Sequence, residues 1–384
     1  MNLETLIEKA AVISREVAAP EALTADRDGM WVASTMRALQ DSKLTGLVVP
    51  EAQGGLGHGL LALARISEEL GKGYSSAGLC FGMHCVGTAV IAAKSTGWQK
   101  EQYLVPIAEG KHITTLALSE IGTGAHFYFP QTPLIAVTEE DFLVTGTKSF
   151  VTNGGHADSY VVSTLGASAE AEADQFSCIL VDSNMPGLEW SSPWDGLGMR
   201  GNSSLTLNLN DVYIPGRNIL GEKGDQLWYI FNVVAPYFLM TMAGTYLGIA
   251  EAALIEGKAS LAKRSYAHNG SGLASVGYLQ HKLGILWANV ERTRRLVYHA
   301  AQAGDHNDPN AMLLLLSAKA EVAHCVVDVV NEVMTLAGGQ GYQHNSHLGM
   351  LMRDARAAHV MSPTTDLLYT WMGRILLDQP IFSD

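Results

Sequence analysis

Three short stretches of the chain hold residue types that could seat a flat, charged ligand and handle its protons. Ser119-Glu120-Ile121-Gly122-Thr123-Gly124-Ala125-His126 places two glycines and two hydroxyls close together. Such a stretch can turn several backbone N–H groups toward one point, as an anion or the edge of a flavin requires; an ordinary interdomain loop has the same composition. Thr147-Lys148-Ser149-Phe150-Val151-Thr152-Asn153-Gly154-Gly155 ends a strand-like run in a turn. There Phe150 could stack on a flat ring while Thr152 hydrogen-bonds it, although core packing is the more frequent use of phenylalanine. Gly338-Gly339-Gln340-Gly341 leaves the backbone bare for a phosphate or adenosine to approach closely. It follows a helical pattern rather than a strand, so it is not a dinucleotide-binding fingerprint, and a helix C-cap would use the same glycines.

The elements that must position these stretches fall into three blocks. Residues 1 to about 115 read as helices, with apolar residues at three- and four-residue spacing in Leu60, Leu63, Ile66 and Leu70, and a loop punctuated by Gly54, Gly55 and Gly57. Residues 116–222 carry short β-branched and aromatic runs, such as Phe142-Leu143-Val144-Thr145 and Tyr160-Val161-Val162, separated by turn residues. They predict an antiparallel β-domain, with a polar, small-residue loop at 166–175. From 223 to 384 the helical period returns, predicting helices at 226–264, 276–304, 309–336 and 363–377. Helices, then strands, then a helical bundle make an α+β chain with domains at 1–115, 116–222 and 223–384.

The 384 residues suit two to three domains, and 47% apolar against 16% charged residues excludes wholesale disorder. The formal charge of −13 is the wrong sign for a general nucleic-acid binder. Four cysteines without a CxxC pair argue against a disulfide framework or a cysteine zinc site and fit free buried thiols in a reducing compartment. No Asp/Glu/His set has metal-ligand spacing. The N-terminus lacks a signal-peptide pattern and no run of 18 uninterrupted apolar residues occurs, so no membrane span and a cytoplasmic location are expected.

Taken in order, the segments resemble the acyl-CoA dehydrogenase superfamily over nearly the whole chain. The resemblance rests on Pro50-Glu51-Ala52-Gln53-Gly54-Gly55-Leu56-Gly57, the 119–124 loop, the 148–154 turn and Leu197-Gly198-Met199-Arg200-Gly201. It continues through Asp211-Val212-Tyr213-Ile214-Pro215, Asn218-Ile219-Leu220-Gly221, the 338–342 glycines and Met352-Arg353-Asp354-Ala355-Arg356. It implies an N-terminal helical domain, a middle β-domain and a C-terminal four-helix bundle, assembled as a homotetramer with one FAD per subunit. By the same resemblance Leu118, Ser119 and Gly124 lie along the flavin, Phe150 and Thr152 cover its other side, and Thr364 sits near the cofactor. Gly338, Gly339 and Gly341 would receive the pyrophosphate or adenosine part of a neighbour's FAD, with Arg264 the nearest candidate for a cofactor-binding arginine. Arg200 would lie near the flavin or substrate, or in a structural salt bridge.

The chain departs from that pattern where the catalytic base is expected. Relatives take the substrate's α-proton with a glutamate that follows the Arg-Asp-Ala-Arg/Lys motif; counting from the motif here reaches Ser362. The alternative position on the first long bundle helix reads Phe238, with Leu239 in place of the following arginine. A serine ionises far above neutral pH and is a poor base alone. Three substitutes are open: Asp366, one helical turn beyond Ser362; His126, in the flavin loop; and His359. Asp366 could equally serve only a helix start, and either histidine could be an ordinary surface group. The glutamine that relatives carry before the double glycine reads Thr335.

Three functions follow as expectations. One is FAD-dependent desaturation of an acyl thioester with a relocated base, passing electrons to an electron-transferring flavoprotein. The second is a flavin monooxygenase acting on a secondary metabolite, supplied by a flavin reductase and needing no α-proton base. The third is a flavin-binding protein without activity.

Overall fold

The chain begins with helices because its apolar residues recur on one face. In the computed structural model, which describes residues 2–166 and 176–381, Asn2 caps α1 (Leu3–Ile13) by accepting from the Thr5 N–H at 2.9 Å. The face of Leu6, Ala10 and Ile13 turns inward. α2 (Ala19–Asp28) ends on Gly29 at φ 64°, a left-handed C-cap, and α3 (Ala33–Asp41) follows. α4 (Leu60–Gly73) and α5 (Ser75–Ala93) are joined through Tyr74 alone. α5 is apolar nearly all round and is the central helix of its domain. Two short helical turns, α6 (Gly97–Gln99) and α7 (Val105–Ala108), lead to the strands.

The strands are β1 (Thr114–Ala117), β2 (Leu134–Ala136), β3 (Phe142–Val151), β4 (Ser159–Thr164), β5 (Ser177–Asp182), β6 (Leu188–Ser191), β7 (Leu205–Ile214) and β8 (Ile219–Leu220). They form two four-stranded sheets, ordered β1-β4-β5-β8 and β2-β3-β7-β6. Every pairing is antiparallel except β1 with β4. After β1 the chain crosses to the second sheet before returning, so β4 comes back in the same direction. Residues 167–175 of the predicted polar loop lie outside the described residues.

The bundle is α8 (Gln226–Tyr229), α9 (Ala235–Lys263), α10 (Gly277–Asp305), α11 (Ala311–Ala337), α12 (His347–Val360) and α13 (Thr365–Leu376). The predicted helix 226–264 is interrupted at Ile230–Val234 by a wider π turn just before Pro236, whose ring and missing N–H disfavour a regular continuation. α12 has no counterpart among the predicted helices; it starts on Ser346, whose hydroxyl accepts from the Gly349 N–H. α9 approaches α4 at glycine contacts: a Cβ on Gly244 would lie 2.1 Å from the Ala64 carbonyl oxygen. Glu68 of α4 and Glu251 of α9 both bind Arg294 of α10, at 2.8 and 2.7 Å. α5 and the stretch Gln226–Lys263 are long and apolar enough to cross a bilayer, yet 83% of each apolar window is buried inside the fold. The four cysteines are free and buried.

Candidate active site

One wall of the site is the loop after β1. Leu118 is buried and Ser119 half-buried, and the Ser119 carbonyl accepts from the Ser149 N–H at 2.8 Å, tying the loop to β3. The next residue turns inward. Glu120 pairs with Lys148 Nζ at 2.5 Å and also accepts from the N–H of Gln131 at 2.9 Å and the hydroxyl of Thr132 at 2.9 Å. Lys148 further donates to the Ser163 carbonyl at 2.6 Å. Burial pulls its ammonium down to about 8, and the Glu120 charge opposes that shift. Between these ties Gly122 and Gly124 have φ of 97° and 56°, with no atom within 4 Å of where a Cβ would stand. His126 is exposed, with Nδ1 2.8 Å from the Tyr128 hydroxyl.

The end of β3 supplies an aromatic face. A bulge between Lys148 and Val151 breaks the pairing with β7, and Phe150 there takes φ 57°. This is a costly conformation for a bulky residue. Phe150 is 65% exposed, touching Trp194 edge-to-face at 6.2 Å. Thr152, two residues on, is buried with its hydroxyl 3.1 Å from that of Ser204. An uncovered ring, a buried hydroxyl and two open glycines are the features a flat ring system would use.

The α12–α13 turn carries the other candidates. Lys319 of α11 is fully buried, and its Nζ donates to the carbonyls of Ala358 at 2.9 Å, Met361 at 3.2 Å and Pro363 at 2.9 Å. Burial pulls its ammonium down to about 7. Ser362 lies between the last two of those carbonyls and is half-buried. Thr364 is the N-cap of α13, its hydroxyl accepting from the Leu367 N–H at 3.4 Å. Helix begins only after Thr364, so the expected one-turn spacing does not set Asp366 beside Ser362; Asp366 is exposed in the first turn of α13. His359 turns its Nδ1 to the Thr365 hydroxyl at 3.0 Å. Phe238 is half-buried in the first turns of α9, and Leu239 is buried. Among the described residues no hydrogen bond or ion pair joins His126, Ser362 and Asp366.

A third surface forms at the end of α11. Arg264 donates through Nη1 to the carbonyls of Leu336 at 3.3 Å and Ala337 at 2.8 Å, capping that helix. Gly338 follows at φ 64° beside the same guanidinium, and Gly339 has open space where a Cβ would stand. Gly341 differs: a Cβ there would meet Ala337 Cβ at 2.8 Å, so packing against α11 and α12 accounts for it. The Thr335 hydroxyl donates back to the Asn331 carbonyl.

The Arg353-Asp354 motif is a fastening. Arg353 grips Asp26 of α2 at 3.0 and 2.6 Å. Asp354, fully buried, accepts from the Ser75 hydroxyl and from the Met199 N–H at 2.6 Å, and burial pushes its carboxyl up to about 6. Arg200 also turns to this junction, donating to the Asp26 carbonyl at 2.7 Å. Asp26 and Lys319 are not legible in the sequence as site-shaping residues, and Lys148 is marked there only as part of its turn, although a lysine inside the apolar run of α11 is a signal of a bound partner, since a buried ammonium needs acceptors.

Three family models match the chain: "Acyl-CoA dehydrogenase, N-terminal domain" over residues 2–111, "middle domain" over 115–212 and "C-terminal domain" over 239–377. The chain is 27% identical to probable acyl-CoA dehydrogenase YngJ of Bacillus subtilis (strain 168), covering 98% of this chain and 100% of that one. Its fold is similar to butyryl-CoA dehydrogenase from Megasphaera elsdenii, with a TM-score of 0.91, 25% identity, and 98% of each chain covered. It is also similar in fold to the FAD complex of PigA, with a TM-score of 0.88, 18% identity, and 97% of each chain covered.

Proposed function

The chain belongs to the acyl-CoA dehydrogenase superfamily, and on that premise we propose that it is an FAD-dependent oxidoreductase that desaturates an acyl thioester with a relocated proton acceptor. The observation that carries the flavin part of this reading is the end of β3, where the exposed Phe150 ring stands two residues from the Thr152 hydroxyl. The residues present fit a flavin. Leu118, Ser119, Gly124, Phe150 and Thr152 would hold its ring system from the β-domain, and Thr364 from the start of α13. Arg264, Gly338 and Gly339 would meet the pyrophosphate or adenosine part of a neighbour's FAD in a homotetramer. Bound FAD supplies the acceptor for the hydride leaving the substrate's β-carbon.

The chain's own groups do the rest. Ser362 hydrogen-bonds the thioester rather than taking a proton, because its hydroxyl ionises only far above neutral pH. His126 takes the α-proton in this reading. With Nδ1–H donated to the Tyr128 hydroxyl, 2.8 Å away, Nε2 is the ring atom that accepts. Asp366 acts at the helix start, where its charge favours the N-terminal dipole. An electron-transferring flavoprotein is the proposed electron acceptor.

One observation favours a second reading, oxygenation of a secondary metabolite with reduced flavin and dioxygen. The turn Met361-Ser362-Pro363-Thr364 carries no carboxylate, and its buried cation is satisfied by carbonyls alone. That chemistry needs no α-proton base and draws on a flavin reductase. The two separate when FAD-loaded protein is mixed anaerobically with a panel of acyl-CoA thioesters. Loss of the oxidised flavin band, slowed about 100-fold or more by His126→Ala, is the expected result. No bleaching with any thioester overturns desaturation for that panel, and oxygen-dependent hydroxylation by the chemically reduced protein then supports the second reading.

A further inference from the structure

Lys319 is the feature that the proposed chemistry leaves unused. It lies within α11 among Leu315, Leu316, Ala318, Ala320 and Val322, all buried, and is itself fully buried. Its three ammonium hydrogens match three carbonyl acceptors, those of Ala358, Met361 and Pro363. Ala358 belongs to the last turn of α12, where carbonyls lack helical partners. Met361 and Pro363 flank Ser362 on either side. Thr364, one residue further, caps α13. A single group on a third helix therefore holds the end of one helix, both neighbours of Ser362 and the approach to the next cap.

We infer that Lys319 is a positioning residue for the reaction, fixing the α12–α13 turn so that Ser362 and Thr364 meet substrate and cofactor in one geometry. The inference rests on the reading that this turn borders the flavin. It does not depend on which of the two reactions is catalysed. Without the ammonium, three carbonyls lose their donor and the turn can settle elsewhere, and a shift of about 1 Å at such a site costs on the order of 100-fold in rate.

The test uses the full-length, FAD-loaded protein and the variants Lys319→Met, Lys319→Arg, Ser362→Ala and Lys319→Met with Ser362→Ala. Lys319→Met is expected to retain FAD affinity within about 3-fold while lowering the rate of flavin bleaching at saturating thioester on the order of 100-fold. Because Lys319 acts through the turn, Ser362→Ala should add little to Lys319→Met, as expected for coupled positions. Lys319→Arg keeps donors to the carbonyls and should fold even where the Met variant does not, with a rate between the two. The inference is overturned if the FAD-loaded fraction of either Lys319 variant keeps the wild-type rate, or if the effects of the two sites simply multiply. Should wild-type protein bleach with no thioester, the desaturation reading fails by itself. The position and shape of the bound flavin's visible band then decide on Lys319: a change in Lys319→Met supports the inference, and an unchanged band overturns it.

Discussion

Lys148 and Glu120 form a buried ion pair, 2.5 Å apart with side chains 0% and 7% exposed, directly beneath the loop that carries Gly122 and Gly124. The pair joins β3 to the loop after β1, and through Gln131 and Thr132 it holds the far end of that loop as well. One carboxylate thus ties both ends of the loop, whose middle is packed through the buried Phe127 and Tyr128.

Breaking this pair should cost stability and loosen the cofactor together. Lys148→Met leaves the Glu120 charge without its partner, and the expected loss is about 3–5 kcal/mol, measured as a shift in urea unfolding. FAD affinity should fall in the same variant. Lys148→Met with Glu120→Gln should recover part of the stability, because no charge then remains buried. Equal losses in the single and double variants would contradict the assignment.

Phe150 gives the opposite pattern. Its ring is 65% exposed, so Phe150→Ala should change the stability of the FAD-free protein by no more than about 0.5 kcal/mol. If the ring stacks on the flavin, the same change weakens FAD binding by about 1 kcal/mol or more, or roughly 5-fold. Calorimetric titration and thermal unfolding of the same samples separate the two effects.

Two glycines in one motif should behave differently. Gly339→Ala enters open space and should fold normally, with any effect confined to FAD binding across subunits. Gly341→Ala places a Cβ 2.8 Å from that of Ala337 and should destabilise by about 1–3 kcal/mol. Thermal unfolding in the absence of FAD checks the contrast.

Asp354 predicts a pH signature. Burial raises its carboxyl from the ordinary 3.8 to about 6, so between those values the folded chain holds a proton that the unfolded chain has released. Its contribution to stability is therefore full below pH 3.8, falls as pH rises toward 6 and is flat above. Asp354→Asn removes that slope. The stability difference between wild type and variant should change by about 2–3 kcal/mol from pH 7 to pH 4, in favour of the wild type at the acidic end. A pH-independent difference from urea titrations would sink the assignment.

Local pattern carried the three-block architecture, because helical and strand periods are written in neighbouring residues. It also marked the 119–126, 147–155 and 338–341 stretches, since glycines and hydroxyls in short runs signal unusual backbone directly. α12 is not legible in local pattern although its Ser346 cap and apolar residues are present, because the glycines before it obscure the restart. The shared face expected for Ser362 and Asp366 failed for a related reason: where the helix begins depends on the Thr364 cap and on the turn held by Lys319.

Local pattern is enough to mark the glycine-rich stretches and the uncharged Ser362 and Phe238, but not to tell the open Gly339 from the packed Gly341. Which distant groups complete these segments is set by the packing of the closed fold. Lys148 finds Glu120 across 28 positions, Arg264 finds Ala337 across 73, and Arg353 finds Asp26 across 327. No local period encodes such partners. They are selected when the core closes, because a buried charge or a bare helix-end carbonyl must then be matched by whatever donor or acceptor the packing brings within reach.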